Sequence, residues 1–534
     1  MRLTTFYKNK MFQFHNLSTS GDSLLTDNFN VVINGREFPC VRWIAFRVSN
    51  AIKNYLRKNP NEEKYIFQIE EYGDINMIYE ILCGKSIMFT SSSIPFLFQV
   101  ASTLEIDSLM NELTTIQNKI DDIDYMIHDS SDLSLLISLE KLFLSLTKNN
   151  IEKVSSEIIE YSIENQLLSK YFLNSCVARP DNIEIYIELL LKVHEIQIEN
   201  DMNSIIPVFS NFLITRLKKT FYYDEDKPIQ QEMCFIIQNL IERGFVEGKE
   251  VIYQRTPLFF SHIMDESLFK AMRYLERQNY SEEMLQRVDA NNFEEHKENI
   301  HIGKNLNDIA LSIRNDDVES LQQSLIKKNF DYNGKIKNSI YERCSFVNSS
   351  IAYIEFAAFF GSIKCFKYLL LNKANKTNKL AQFAVGGGNV EIIHICEQIG
   401  CNFQDTLQIA IKYHRWEIFK WLISTNTIEY DKINEYITKC IFYTNYKSLM
   451  TLLKIGIDPS FALIESIRLN DLILTNFLIN LNSVDLNVKD KKERGILQIA
   501  CLSENCEIVE CILNNTNIDV NLRTLHNDEL RISH

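Results

Sequence analysis

The strongest constraint on the fold is a frame that recurs seven times in the second half of the chain. In "YIEFAAFFGSIKCFKYLLLN", Tyr353–Asn372, Ala357 stands in a first apolar run, Gly361 breaks it, and a second apolar run follows. The corresponding place elsewhere is filled by Ser312, Ala384, Ala410, Cys440, Ser466 and Ala500. Every one is Ala, Ser or Cys. A small side chain on one helix lets a second helix approach its backbone, so the frame predicts a series of helix–turn–helix pairs. The turn is expected about four residues on, at Gly361, Gly388, His414 and Glu504. The second helix should bury one stripe, as with Ile363, Phe366, Leu369 and Leu370. A large side chain at Ala357 should overpack its pair by about 1–3 kcal/mol.

Composition agrees with a helical array. Only 15 Gly and 8 Pro punctuate 534 residues, fewer turn residues than a strand-rich sandwich needs, and 46% hydrophobic content supplies a core throughout. The net charge of −14 excludes the basic face that phosphate binding requires, so no nucleic-acid partner is expected. The basic cluster Arg216–Lys219 is short and is soon followed by acidic Asp224–Asp226. No run reaches the roughly 18 apolar residues of a membrane span. The first twenty residues lack the continuous apolar core of a secretory signal. Twelve cysteines scattered among predicted helices point to reduced thiols, hence to the cytoplasm, with the nucleus left open.

The frame resembles the ankyrin repeat. The best match is "VDLNVKDKKERGILQIACLSENCEIVECILNNTNIDVNLRT", in which Val484–Asp490 resembles the family's hairpin segment, repeated at Ile518–Asn521. Arg494-Gly-Ile-Leu497 replaces the family's Thr-Pro-Leu-His, which removes the Thr/His hydrogen bonds that tie adjacent turns. Successive anchors are 45, 27, 26, 30, 26 and 34 residues apart. Against a unit of about 33, most steps leave no room for a full hairpin finger, while the longest admits an inserted loop around Asn333–Ser350. The binding face is therefore expected on the inner, first helices. Tyr353–Gly400 further resembles a large ankyrin-protein family of parasitic protists, whose members carry a BTB-like region before a helical middle.

At the other end, "FNVVINGREFPCV" (Phe29–Val41) alternates around Asn34-Gly35, a strong hairpin signal that puts Phe29, Val31 and Ile33 on one face. A strand at "KYIFQIE", a helix at "DINMIYEILCG", a short strand at "SIMF" and a helix pair through "VASTLEIDSL" are expected next. This order resembles a BTB (POZ) domain, with Ile81–Ile87 in place of the usual Leu-Tyr-Thr-Gly-x-Ile. The family's charged positions are altered at Asn30 and at Cys40-Val-Arg-Trp-Ile44, which puts its dimerisation in question. Four regions are expected: a tail (1–26), a BTB-like domain (27–115), a helical region (116–304) and divergent ankyrin repeats (305–534). The fold class is thus mainly α, an ankyrin-type solenoid behind a small α+β domain. Leu109, Leu113, Ile116, Ile120, Ile123 and Ile127 suit either a short coiled-coil seam or an ordinary amphipathic helix. "SCVARPDNIEIYIELL" (Ser175–Leu190) echoes the repeat, whereas Tyr222–Pro228 and Asn292–Asn305 read as loops or linkers.

No constellation that would run a reaction is apparent, so no catalytic, cofactor or metal residue is assigned and no cofactor is expected. His394, Cys396 and Cys401, and Cys501, Cys506 and Cys511, lack the paired spacing of zinc ligands, and the cysteines, with Cys501 and Cys511 on the packing helices of one repeat, read as structural core cysteines. Val385–Asn389 lacks the Lys-Ser/Thr and preceding strand of a phosphate loop and reads as a loose turn. His414 reads as a surface turn residue without a carboxylate partner. Trp416 and Trp421 are candidate anchors for a protein partner. The chain reads as a non-catalytic interaction scaffold. The BTB resemblance implies two alternatives, a substrate adaptor of a cullin-type ubiquitin ligase and a homodimer through that domain. An enzyme is the third class.

Overall fold

The structure is a computed structural model that describes residues 4–5, 28–85, 89–90, 93–219, 230–252, 257–277, 280–289, 293–327, 329, 331–425, 432–454, 458–481, 483–503 and 505–514. They fall into two compact units, one of residues 1–134, 421–441 and 447–534, the other of 135–420 and 442–446.

In the first unit, β1 (Thr4–Thr5) pairs with β5 (Phe89–Thr90) in a two-stranded sheet. The hairpin forms as expected from β2 (Asn28–Ile33) and β3 (Arg36–Val41), joined by Asn34 and Gly35 at φ 49° and 82°. Two left-handed turn residues match the twist of the flanking strands. Phe29, Val31 and Ile33 are fully buried. The chain crosses through α1 (Arg42–Val48) and α2 (Asn50–Lys58) to β4 (Lys64–Phe67), which runs parallel to β2 and gives the order β3-β2-β4. The Asn34 amide fixes the strand's exit, donating to the Ile69 carbonyl at 2.9 Å and accepting its N–H at 2.8 Å. Helices α3 (Ile75–Leu82), α4 (Ile94–Thr103) and α5 (Asp107–Asp129) follow. Of the expected "SIMF" strand, residues 86–88 lie outside the described residues. Leu109, Leu113 and Ile116 are buried on α5, which runs unbroken through position 115. The side chains of Ile120, Ile123 and Ile127 lie outside the description.

The middle of the chain is helical: α6 (Ser131–Leu144), α7 (Ile151–Glu160), α8 (Asn165–Ala178), α9 (Ile183–Glu199), α10 (Ile205–Lys219), α11 (Gln230–Glu242), α12 (Gly248–Val251), α13 (Glu266–Glu276), α14 (Glu282–Asp289) and α15 (Glu294–Ile302). The stretch that echoes the repeat is a helix pair, α8 packed on α9. Asn292–Asn305 is not a linker, because α15 occupies most of it. Acidic residues begin that helix, left-handed Gly303 ends it, and His296, Asn299 and Ile300 are buried. Tyr222–Pro228 lies outside the described residues.

The repeat then follows as seven pairs among the described residues. Their first helices are α16 (Asp308–Arg314), α18 (Tyr353–Phe359), α20 (Leu380–Gly387), α22 (Leu407–Lys412), α24 (Ile433–Phe442), α26 (Ser460–Arg468) and α28 (Ile496–Leu502). Their second helices are α17 (Val318–Ile326), α19 (Ile363–Leu371), α21 (Val390–Gln398), α23 (Trp416–Thr425), α25 (Tyr446–Lys454), α27 (Leu472–Ile479) and α29 (Cys506–Leu513). All seven anchors fall on first helices. Ser312 is 6% exposed and the other six 0%. In the second unit α16, α18, α20 and α22 pack in series, as do α17, α19 and α21. In the first unit α26 packs on α28 and α27 on α29. The fold is mainly α, and none of its described helices is long and apolar enough to cross a membrane.

The turns obey a rule finer than the one expected. Four residues after six of the seven anchors the backbone is left-handed, at Asp316, Gly361, Gly388, His414, Thr444 and Asn470, while the expected turn at Glu504 lies outside the described residues. The N–H one residue later returns to the anchor's own carbonyl: Asp317 to Ser312 at 2.9 Å, Ser362 to Ala357 at 3.0 Å, Arg415 to Ala410 at 2.9 Å, and Asp471 to Ser466 at 2.9 Å. This 6→1 bond closes the first helix. Side chains at the same place start the second helix: Asp317, Asn389, Asp471 and Asn505 each accept one or two of its first N–H groups. They also join neighbouring pairs. Asn389 donates to the Gly361 carbonyl at 3.2 Å, Arg415 to Gly386 at 2.9 Å and Asn445 to Ile411 at 2.9 Å, while Asn505 reaches the Asn470 side chain at 2.6 Å. These bonds stand in for the missing Thr/His ties.

Two expectations about loops are corrected. Val385–Asn389 is no loose turn, since Gly386 and Gly387 are helical and only Gly388 turns, at φ 81°. A Cβ on Gly387 would lie 2.4 Å from the Ala358 carbonyl oxygen, so glycine there is a contact residue. At Val484–Asp490 the pairing is a single bridge, Lys489 to Gly495, and an equivalent bridge joins Lys335 to Ala352 across the long insertion. The Asp490 carboxylate holds the first bridge by accepting the Arg494 and Lys492 N–H groups and the Arg468 and Arg494 guanidiniums. Ile518–Asn521 lies outside the described residues.

Candidate interaction surface

The expected binding face, the first helices, is occupied by the chain itself in the second unit. Every residue of α18 is buried. The long insertion folds back, and Phe346 sets its ring 5.6 Å from Phe359, 4.8 Å from Phe383 and 5.6 Å from Tyr413, thus bridging three successive repeats. Aromatic pairs at such spacing add to the area they bury. The adjacent Ser345 is held by fully buried Glu232 of α11, whose carboxylate accepts both the Ser345 hydroxyl and its N–H. Lys412 lies beneath, its ammonium 5.6 Å from the Phe346 ring and 5.3 Å from that of Tyr413. The insertion is anchored further by Arg343 to Glu184 at 2.6 Å and by Arg314, which pairs with both oxygens of Glu342.

Burial raises the Glu232 carboxyl to about 7, against the opposing pull of the Lys412 ammonium. The folded chain therefore keeps a proton that the unfolded chain releases near pH 4.5, and stability drains away as pH climbs from there to about 7. Relative to Glu232→Gln, the wild type should lose on the order of 3 kcal/mol across that window. Urea unfolding of both proteins between pH 5 and 8 reads this, and a constant gap would contradict it. Two histidines shift the other way, half-buried His262 and fully buried His296. Burial holds His262 at about 4 and His296 at about 3. His296 donates from Nε2 to the Phe259 carbonyl at 2.9 Å and meets the Tyr341 hydroxyl with Nδ1 at 3.1 Å. It is a satisfied polar core group.

Among the repeat helices of the second unit, the exposed large apolar residues lie on the second helices. Ile326 ends α17 at 57% exposed, Leu371 ends α19 at 82%, and Val390 begins α21 at 59%. Lys367 of α19 and Glu391 of α21 pair across adjacent helices at 2.5 Å. Trp416 and Trp421 are both half-buried rather than exposed, and Trp416 stacks on Phe419 at 5.8 Å beneath the Lys420 ammonium.

The remaining candidates are dispersed. His414 is not a surface residue, for its side chain is 4% exposed, with Nδ1 3.0 Å from the Glu140 carboxylate and Nε2 donating to the Tyr443 carbonyl at 3.0 Å. Glu140 lies far away in sequence, so no local pattern announces the pair. Cys501 and Cys506 are exposed and Cys511 half-buried, which corrects their reading as core cysteines. His394 is exposed and faces Glu397. Cys396 is buried and Cys401 half-buried.

Residues 371–452 match a family model described as a domain of unknown function, DUF3447. That span runs from the end of α19 to α25. No curated protein matches the chain. Among solved structures the chain is similar to the one titled "Crystal structure of human ASB11 ankyrin repeat domain", at 15% identity, covering 39% of this chain and 96% of that one with a TM-score of 0.30.

Proposed function

We propose that the protein is a non-catalytic interaction scaffold or adaptor that receives a protein partner on the second helices of its repeats, in the cytoplasm or nucleus. One observation carries this reading: in the second unit the first helices spend their side chains on stacking and on the folded-back insertion, while Ile326, Leu371 and Val390 stay exposed on α17, α19 and α21. Scattered apolar residues of this kind serve as anchors when a partner covers them. A pull-down from the native cell with the full chain tests it. Leu371→Asp and Val390→Asp together should abolish capture of the partner while leaving the unfolding midpoint unchanged. Undiminished capture would move the surface elsewhere, and tight binding of nucleotide or zinc in a calorimetric titration would revive an enzymatic reading.

A second reading makes the N-terminal region a BTB-like domain that recruits a cullin-type ubiquitin ligase and supports a homodimer. It is favoured by the element order of hairpin, helices, parallel strand, helix and closing helix pair, and by Ile66 and Tyr72, 70% and 94% exposed beside that sheet. Co-precipitation of a cullin with the full chain, lost in Ile66→Asp, is its expected result; no cullin with the intact chain would remove it.

A further inference from the structure

The end of α21 carries two cysteines five residues apart on a chain that closes back on itself. Left-handed Gly400, φ 71°, turns the chain there, and the Cys401 N–H returns to the Cys396 carbonyl at 2.8 Å. This 6→1 closure brings the two side chains that flank it together, usually as an apolar contact. One repeat earlier it does so: the Ala374 N–H bonds the Leu369 carbonyl at 3.0 Å, and both side chains are buried. In α21 the same two places hold thiols. Cys396 is fully buried, while Cys401 stays half-exposed. Lys376, from the loop after α19, caps this helix end with its ammonium 2.8 Å from the Gly400 carbonyl and 3.3 Å from that of Ile399.

We propose that Cys401 and Cys396 form an oxidation site for hydroperoxides, in which Cys401 reacts first and Cys396 closes an intramolecular disulfide onto it. The assignment of roles follows from access and charge. Cys401 is the thiol that solvent reaches. The neighbouring Cys396 thiol and the Lys376 ammonium hold it below the usual thiol range. The neighbouring Cys401 thiol and burial push Cys396 up, which suits the second, resolving thiol.

The Cys401 thiolate attacks one peroxide oxygen, the O–O bond breaks, and the other oxygen departs as hydroxide or alkoxide. Cys401 is left as a sulfenic acid. The Cys396 sulfur then attacks that sulfur, its proton leaves with the hydroxyl as water, and the S–S bond forms. The two sulfurs together lose two electrons, and the peroxide gains them. The spacing suits the product, because a chain closed by a 6→1 bond brings the two Cα atoms within disulfide range.

Both cysteines lie in one tryptic peptide, 380–412, bounded by Lys379 and Lys412. After brief treatment of the full chain with hydrogen peroxide and blocking of free thiols, that peptide should lose two hydrogens and regain them with dithiothreitol. Exposed Cys501 and Cys506 serve as internal comparators, and Cys401 should react about tenfold faster than either. In Cys396→Ser, Cys401 should accumulate as a sulfenic acid trapped by dimedone. In Cys401→Ser, Cys396 should stay reduced. The proposal is overturned if the wild-type peptide keeps its reduced mass while Cys501 and Cys506 oxidise, or if Cys401 advances to sulfinic acid with Cys396 free.

Discussion

Replacing Glu342 with alanine is expected to destabilise the unit that contains it by about 3–5 kcal/mol, as removing one partner of a buried ion pair leaves the other charge unpaired. The Arg314 guanidinium is 6% exposed and Glu342 1%. Nη2 of Arg314 donates to both Glu342 oxygens, at 2.6 and 2.7 Å, while Nη1 reaches Asp181 at 2.6 Å and the guanidinium covers the Phe360 ring at 3.9 Å. Glu342 accepts in addition the N–H groups of Asn305 and Cys344. One carboxylate thus joins the end of α16 to the base of the long insertion. Urea unfolding should show a lower midpoint at unchanged slope for Glu342→Ala. Glu342→Ala with Arg314→Met should regain part of the loss, because no charge then remains buried. Equal losses in the single and double variants would contradict this account.

The second large effect is expected from the smallest change. Gly387→Ala would place a methyl group 2.4 Å from the Ala358 carbonyl oxygen and 2.5 Å from that of Phe359. Both atoms are backbone and cannot rotate aside, so α18 and α20 must separate. The expected cost is about 1–3 kcal/mol or somewhat more, although alanine is the better helix former. Gly386→Ala is the matched control. Its methyl would meet the Phe359 ring at 3.2 Å, which a small ring movement relieves, so its thermal midpoint should fall much less. A larger loss at Gly386 than at Gly387 would count against backbone contact between these helices.

What the sequence made legible was local. The anchors and their helices follow from a small residue between apolar runs, and the hairpin at β2–β3 follows from Asn34-Gly35 within an alternating strand. A further periodic signal was present but unread. Five residues after the anchors stand Asp317, Ser362, Asn389, Arg415, Asn445, Asp471 and Asn505, so five of the seven are Asn or Asp, at the start of the second helix. The residues that cover the first helices were not legible. Phe346, Glu232 and Glu140 find their partners through contacts distant in sequence, and no local period encodes those. Glycines at Gly386–Gly388 misled for a related reason: glycine signals a turn, yet here two of the three serve close approach of helices. Asn292–Asn305 looked like a linker because its helix buries His296 and Asn299 instead of an apolar stripe.

The core of the account is that seven scattered small side chains do one mechanical job, and leucine scanning of those sites with urea unfolding as the readout probes it most directly. Leucine at Ser312, Ala357, Ala384, Ala410, Cys440, Ser466 or Ala500 should each lower stability by about 1–3 kcal/mol, whereas leucine at exposed Lys379 or Glu435 should stay within about 0.5 kcal/mol of wild type. If the seven sites accept leucine as readily as the two exposed ones, helices do not meet there and the repeat does not exist in the form described.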